Sequence, residues 1–163
     1  MDFGQKGPAV YSDPRWPALS PRQAEGYVAR ALVLGWSAGI DRFYWYAWDN
    51  KELGLLDPQG VITPAGRAYL TTARWLVGAR LKSCKRTAPV WVCVLDRDGK
   101  QAWMIWNEKD ESLQWPAIEL PRLNAGESLA GEALAIKGQR ALTLDGRPIL
   151  VWAFDGAWSV PRQ

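Results

Sequence analysis

At 163 residues and 48% hydrophobic content, the chain has enough material for one ordinary domain or two small ones with a substantial core. Its net charge of +3 comes from 20 basic and 17 acidic residues dispersed without a basic stripe, and no apolar run approaches the roughly 20 residues of a membrane helix, so neither a nucleic-acid nor a membrane partner is expected. Histidine is absent, which excludes Ser-His-Asp and Cys-His catalysis and most zinc sites; carboxylates must carry any acid–base chemistry, and nothing calls for a cofactor or metal.

In chain order, Met1 to Pro17 lacks the basic-then-apolar pattern of a secretory signal. Ser20, Pro21 and Gln23 then form a helix start: a hydroxyl cap, proline at the first helical position, and the glutamine of a capping box. Tyr27, Val28, Ala31, Leu32, Leu34, Gly35 and Trp36 supply the apolar face of this helix, Arg22, Glu25 and Arg30 its wet side, and Gly39 its end. Residues 41–50 follow as a dense aromatic strand running into Asp49-Asn50. By strand alternation Tyr44, Tyr46 and Trp48 share one face, and Phe43, Trp45 and Ala47 the other. Rings on both faces require cover on both, as in parallel sheets, whose carboxyl ends place ligands. Trp48, Asp49, Asn50 and Tyr46 are therefore the candidate substrate-binding residues, since an apolar plate beside hydrogen-bonding groups suits the apolar C–H face and hydroxyl rim of a sugar. A plain strand end followed by a turn accounts for the same residues without a ligand.

Between Trp48 and Thr63 the composition is that of a loop with an apolar centre at Leu53 to Leu56, and Glu52 reads as a solvated loop charge. Thr63-Pro64 starts a second helix with Ala68, Tyr69, Thr72, Ala73 and Leu76 as its buried stripe, ending at Gly78. Texture changes near Gly78 to Lys85, after which no tyrosine occurs and short apolar runs alternate with tight turns. Two structural parts follow, 1–79 and 80–163. In the second, Val90–Leu95 and Lys100–Trp106 flank Asp96-Arg97-Asp98-Gly99 as a hairpin, and further strands are expected at Leu113–Ile118, Leu134–Ile136, Ala141–Leu144 and Ile149–Phe154, giving a small antiparallel sandwich.

Cys84 and Cys93 lack metal-ligand spacing; two free buried thiols are favoured over a cross-strand disulfide. Of the tryptophans after the texture change, Trp91, Trp103, Trp106, Trp115, Trp152 and Trp158 are possible carbohydrate platforms, but most belong in the core. Trp91 shares a face with Cys93 and Leu95, whereas Trp115 and Trp158 are the two expected to be exposed. Asp96, Asp98 and Asp145 sit in turns for backbone reasons, with a calcium site a minor alternative.

The stretch from Gln23 to Ala31, then Ala38 to Asn50, Gly54-Leu55-Leu56 and Thr63 to Tyr69 resembles the end of a (β/α)₈-barrel glycoside hydrolase. The likeness is to the β-xylosidase-like and endoglycosidase-like members with a carboxyl-terminal β-sandwich, and it runs from about Ser20 to Trp75. It implies a fold class of α/β plus all-β: a terminal βα segment of the barrel over 1–79, then a sandwich over 80–163. The first helix would follow barrel strand seven, the aromatic strand would be strand eight, and the second helix would close the barrel, with Trp48 flooring the sugar site. Such enzymes are similar in using two glutamates, at the ends of strands four and seven. Neither has a counterpart here, since Met1 to Leu19 holds only Asp2 and Asp13 as acids. Retaining hydrolysis needs two carboxyl groups about 5–5.5 Å apart, and a full barrel takes about 250 residues. The resemblance thus implies the carboxyl-terminal part of a longer enzyme, truncated or split, with no catalytic residue of its own. Its expected partners are a carbohydrate substrate and the missing amino-terminal barrel portion, or else a second copy; its compartment would be extracellular or periplasmic if the parent enzyme is secreted. The alternative is a stand-alone carbohydrate-binding or interaction module.

Overall fold

The computed structural model describes residues 19–49, 54–117 and 120–158. Helix α1 (Pro21–Ser37) begins at the expected capping box: the Gln23 N–H donates to the Ser20 hydroxyl at 3.3 Å, and the Ser20 N–H donates to the Gln23 side chain at 2.8 Å. It ends in a Schellman turn. Gly39, at φ +84°, donates to the Trp36 carbonyl, and Ile40 reaches back to Gly35, both at 3.0 Å. Helix α2 (Pro64–Leu76) starts at Thr63, whose hydroxyl accepts from the Gly66 N–H at 3.0 Å. A hydroxyl cap of this kind stabilises a helix by about 1 kcal/mol.

From Arg80 onward the chain forms eight strands: β1 (Arg80–Thr87), β2 (Val90–Arg97), β3 (Lys100–Asn107), β4 (Leu113–Pro116), β5 (Ala125–Glu127), β6 (Ala133–Leu134), β7 (Ala141–Leu144) and β8 (Ile149–Trp152). Six make one antiparallel sheet in the order β1-β2-β3-β8-β5-β6, and β4 pairs with β7 in a second. The β2–β3 hairpin turns through Asp98 and Gly99, both at positive φ, the backbone that a two-residue turn between twisted strands demands.

Strand alternation sorts the apolar residues of the large sheet onto two faces. Cys93, Leu95, Ala102, Met104, Trp106, Leu150 and Trp152 face the helices, where they meet Ala29 and Val33 of α1 and Ala68 and Trp75 of α2 in one core. Val90, Trp103, Ile105 and Val151 face the other way, against Leu142 and Leu144 of β7. The protein is therefore mixed α/β with antiparallel sheets, layered as helices, large sheet and small sheet.

Several expectations are corrected. The aromatic run 43–48 is not a ladder strand: among the described residues no strand pairs with it, so its backbone passes through bends and irregular conformation instead. Sheet formation needs a neighbour as well as a ring-rich sequence. Cys84 and Cys93 are not free thiols. They face each other across the β1–β2 register and are joined as a disulfide. Trp158 is buried rather than exposed, and Trp115 is half-buried against the β4–β7 side. The strand-like surroundings of Cys84 prove to be β1, whose bounds the sequence did not give, and β5 was not anticipated. The expected strand ends at Ile118 and Phe154 also move, since Ile118 lies outside the described residues and β8 stops at Trp152.

Candidate functional site

The aromatic segment leaves α1 at Ile40 and runs alongside both helices. Phe43 packs on α1 where Gly35 leaves room, since a Cβ there would lie 3.2 Å from the Phe43 ring. Phe43 stacks with Trp45 at 6.2 Å between centroids, and Trp45 meets Tyr69 of α2 edge-on at 6.5 Å. Tyr44 and Tyr46, the alternate residues, are 81% and 76% exposed. Inward and outward faces thus survive over 43–46 even without a ladder.

Trp48 departs from that alternation. Rather than staying with Tyr44 and Tyr46, it turns to the same Tyr69 ring that Trp45 touches, edge-on at 6.1 Å and 76°, while remaining 42% exposed. Its backbone is tied to the start of α2 by a short relay. The Leu56 N–H donates to the Trp48 carbonyl at 2.9 Å, Leu56 bridges Ile62, and both the N–H and the hydroxyl of Thr63 donate to the Leu55 carbonyl at 2.9 Å. Gly66 makes the relay possible, because a Cβ there would overlap that same carbonyl. Leu55 is buried with Val28, Ala24 and Ala65 in a small core between the helices, with Trp45 and Tyr69 at its margin.

Of the sequence-selected residues, the structure therefore puts Trp48 and Asp49 at the exposed end of the segment and Tyr46 on its bare side. Asn50 and Glu52 lie outside the described residues. The arrangement offers an exposed ring surface beside the Asp49 carboxylate.

Charge is concentrated elsewhere, where α1 meets the loops beside β3 and β7. A depression of about 250 Å³ is lined by Ser20, Arg22, Gln23, Asp110, Asp145, Gly146 and Arg147. Arg22 pairs with Asp145 at 2.5 Å, Arg147 with Asp145 at 3.2 Å and with Glu25 at 3.3 Å, and the Gln23 amide donates to Asp110 at 2.9 Å. Burial lowers the Arg30 pKa against the pull of Asp110 and Asp145. For Arg147 burial acts in the same direction, but hydrogen bonds and charge from Asp145 and Glu25 outweigh it and raise the pKa. Both guanidinium groups stay charged. Gly26 lies against the Gly146 backbone so closely that a Cβ would collide with its carbonyl. These charges satisfy one another and tie α1 to the loops that carry Asp110, Asp145 and Arg147. Asp145, a turn residue by its Asp-Gly spacing, thus spends its carboxylate on arginines.

Arg97, at the end of β2, was not anticipated as a structural residue. One of its terminal nitrogens donates to the carbonyls of Arg74, Trp75 and Val77 at 3.1, 2.9 and 2.8 Å, capping the carboxyl end of α2. Its guanidinium also lies 4.6 Å from the ring centre of Trp158, whose indole N–H donates to the Trp75 carbonyl at 3.0 Å. Glu127 of β5 accepts from the Trp75 indole at 2.8 Å and pairs with Arg74. Sequence spacing gives no signal for contacts that join such distant positions.

No family model and no curated protein matches the chain. Among solved structures, the fold is similar to that of a family 39 glycoside hydrolase from the gut symbiont Bacteroides cellulosilyticus WH2, with a TM-score of 0.61 and 17% identity. The match covers 80% of this chain and 30% of that chain. The residues from Arg80 onward are about half of the sequence, so they cannot supply that share alone, and the match extends into residues before Arg80. At the level of fold, the chain corresponds to less than a third of a glycoside hydrolase chain.

Proposed function

We propose that residues 1–79 supply the last helix, strand-eight segment and closing helix of a (β/α)₈ glycoside hydrolase, and that residues 80–163 form its carboxyl-terminal sandwich. The rest of the barrel, with both catalytic glutamates, is supplied by other polypeptide, and the assembled enzyme hydrolyses O-glycosidic bonds in polysaccharide. Trp48 floors a sugar subsite, while Tyr46, Asp49 and Asn50 hydrogen-bond its rim. Asp49 alone cannot carry the reaction, because one carboxyl group must attack the anomeric carbon, or activate water to do so, while a second protonates the leaving oxygen.

The observation that carries this reading is the unequal cover of the aromatic segment. Trp45 is half-buried against Tyr69 of α2, and Phe43, though 41% exposed, rests one side of its ring on α1 at Gly35, as the outer face of a barrel strand would. Tyr44 and Tyr46, by contrast, are 81% and 76% exposed on the side where a barrel interior would lie. The coarse likeness of fold to part of a glycoside hydrolase supports it. Two measurements test it. DNA upstream of Met1 should encode Asn-Glu and a later Glu at the ends of strand-like segments, and the purified chain should not cleave aryl xylosides or cellosides. An unrelated gene upstream, or hydrolysis by the chain alone, defeats the proposal.

The same bare tyrosines favour a second reading, a stand-alone carbohydrate-binding or interaction module. It requires a monomer whose tryptophan fluorescence responds to xylo- or cello-oligosaccharides with no barrel-encoding frame nearby.

A further inference from the structure

We propose that Tyr69 is the positioning residue for Trp48: its ring on α2 fixes the orientation of the indole, and the Leu55–Thr63 relay fixes its backbone, so that the closing helix sets the geometry of the saccharide platform. The inference rests on the reading of Trp48 as a sugar-stacking residue for its functional meaning, but the buttress itself is a matter of geometry. Trp48 is 42% exposed and, among the described residues, Tyr69 is its ring neighbour, at 6.1 Å and 76°. An edge-on contact at this distance is the arrangement that ring quadrupoles favour, so it selects one indole orientation rather than merely excluding water.

Tyr69 is itself held. It sits at the margin of the small core of Ala24, Val28, Leu55 and Ala65, and Trp45 meets it at 6.5 Å and 62°. Backbone restraint comes from the same helix: the Trp48 carbonyl accepts from Leu56, and the neighbouring Leu55 carbonyl accepts twice from Thr63, the cap of α2. Ring and backbone of Trp48 are thus both referred to the first turns of one helix. A stacking platform held only by its own rotamer preference would lose orientational entropy on every binding event; a platform fixed beforehand does not.

The experiment uses the full chain labelled with 5-fluorotryptophan, with the Trp48 resonance assigned by Trp48→Phe. Tyr69→Leu keeps an apolar core residue but removes the ring edge; Tyr69→Phe keeps the edge. Leucine is expected to shift the Trp48 resonance and give it the narrow line of a freely rotating indole, while the Trp75 and Trp106 resonances stay in place and report an intact fold. Phenylalanine should restore the wild-type line. Titration with xylohexaose and cellohexaose should then show binding weakened about two- to tenfold by Tyr69→Leu, the range expected for one aromatic pair. A Trp48 line in Tyr69→Leu that superposes on wild type overturns the positioning role. A Trp48 line that ignores both oligosaccharides in the wild type instead defeats the sugar reading while leaving the buttress standing.

Discussion

Two groups of aromatic residues in this chain have opposite fates. Trp75, Trp103, Trp106, Trp152 and Trp158 are buried and tied in place, while Phe43, Tyr44, Tyr46 and Trp48 in the segment after α1 remain substantially exposed. Their side-chain chemistry is alike, so hydrophobicity does not separate them. What differs is the number of elements brought against them. Trp106 lies on β3, flanked by β2 and β8, and stacks on Trp91 at 5.7 Å and 5° under the helices. Tyr44 has helices behind its neighbours and nothing described in front. Burial here is a property of topology, and the proposed barrel assembly would make the aromatic segment one side of an interface.

This contrast can be tested from the core outward. Trp106→Ala should be the most damaging change, costing about 3–5 kcal/mol because a fully buried ring leaves a cavity against Trp91; the urea midpoint of the chain measures it. Arg97→Met comes next. It preserves most of the packing but strips the donor from three carbonyls at the end of α2 and the cation from Trp158, and a loss of about 2–4 kcal/mol is expected from unpaired buried groups. A thermal midpoint within error of wild type would show that α2 does not depend on β2 for its carboxyl end. Opening the Cys84–Cys93 bridge by reduction should cost less, about 2–3 kcal/mol for so short a loop, and hydrogen exchange should place the loss in β1. Uniform loosening of the sheet would contradict that assignment.

How far these features could be read in advance varies with their range along the chain. The capping box at Ser20 and Gln23, the Gly39 stop, the Thr63-Pro64 start and the Asp98-Gly99 turn are contacts between near neighbours, and each appears where local chemistry puts it. The exposed faces of α1 were harder. Ala29 and Val33 are buried because the large sheet covers that side, which no periodicity within α1 reveals. The surroundings of Cys84 read as strand, but the bounds of β1 were blurred by its composition: Arg80, Lys82, Lys85 and Arg86 supply no apolar alternation, and they suit an edge strand that must resist further pairing. Arg97, Glu127 and Trp158 meet α2 across long sequence separations and left no local trace. Within the candidate site, ring alternation over 43–46 was legible, but the turn of Trp48 onto Tyr69 depends on the relay through Leu55 and Thr63.

The smallest expected effect on stability is the most informative about function. Tyr44→Ser with Tyr46→Ser removes two rings that are already 81% and 76% exposed, so the folding free energy of the chain should change by no more than about 0.5 kcal/mol, the usual range for surface positions. Trp48→Ala should likewise leave the sandwich folded, although it gives up the edge contact with Tyr69. Under the proposed assembly, the two changes part company once the other polypeptide is supplied. Loss of the tyrosines should impair association and, through Tyr46 at the proposed sugar rim, substrate use as well, whereas loss of Trp48 should spare association and only raise the substrate concentration needed for turnover. Co-purification of the two polypeptides measures the first effect and steady-state kinetics the second. If the double tyrosine variant destabilises the isolated chain by as much as Trp106→Ala, those rings belong to a closed core and the open-interface account of the aromatic segment fails.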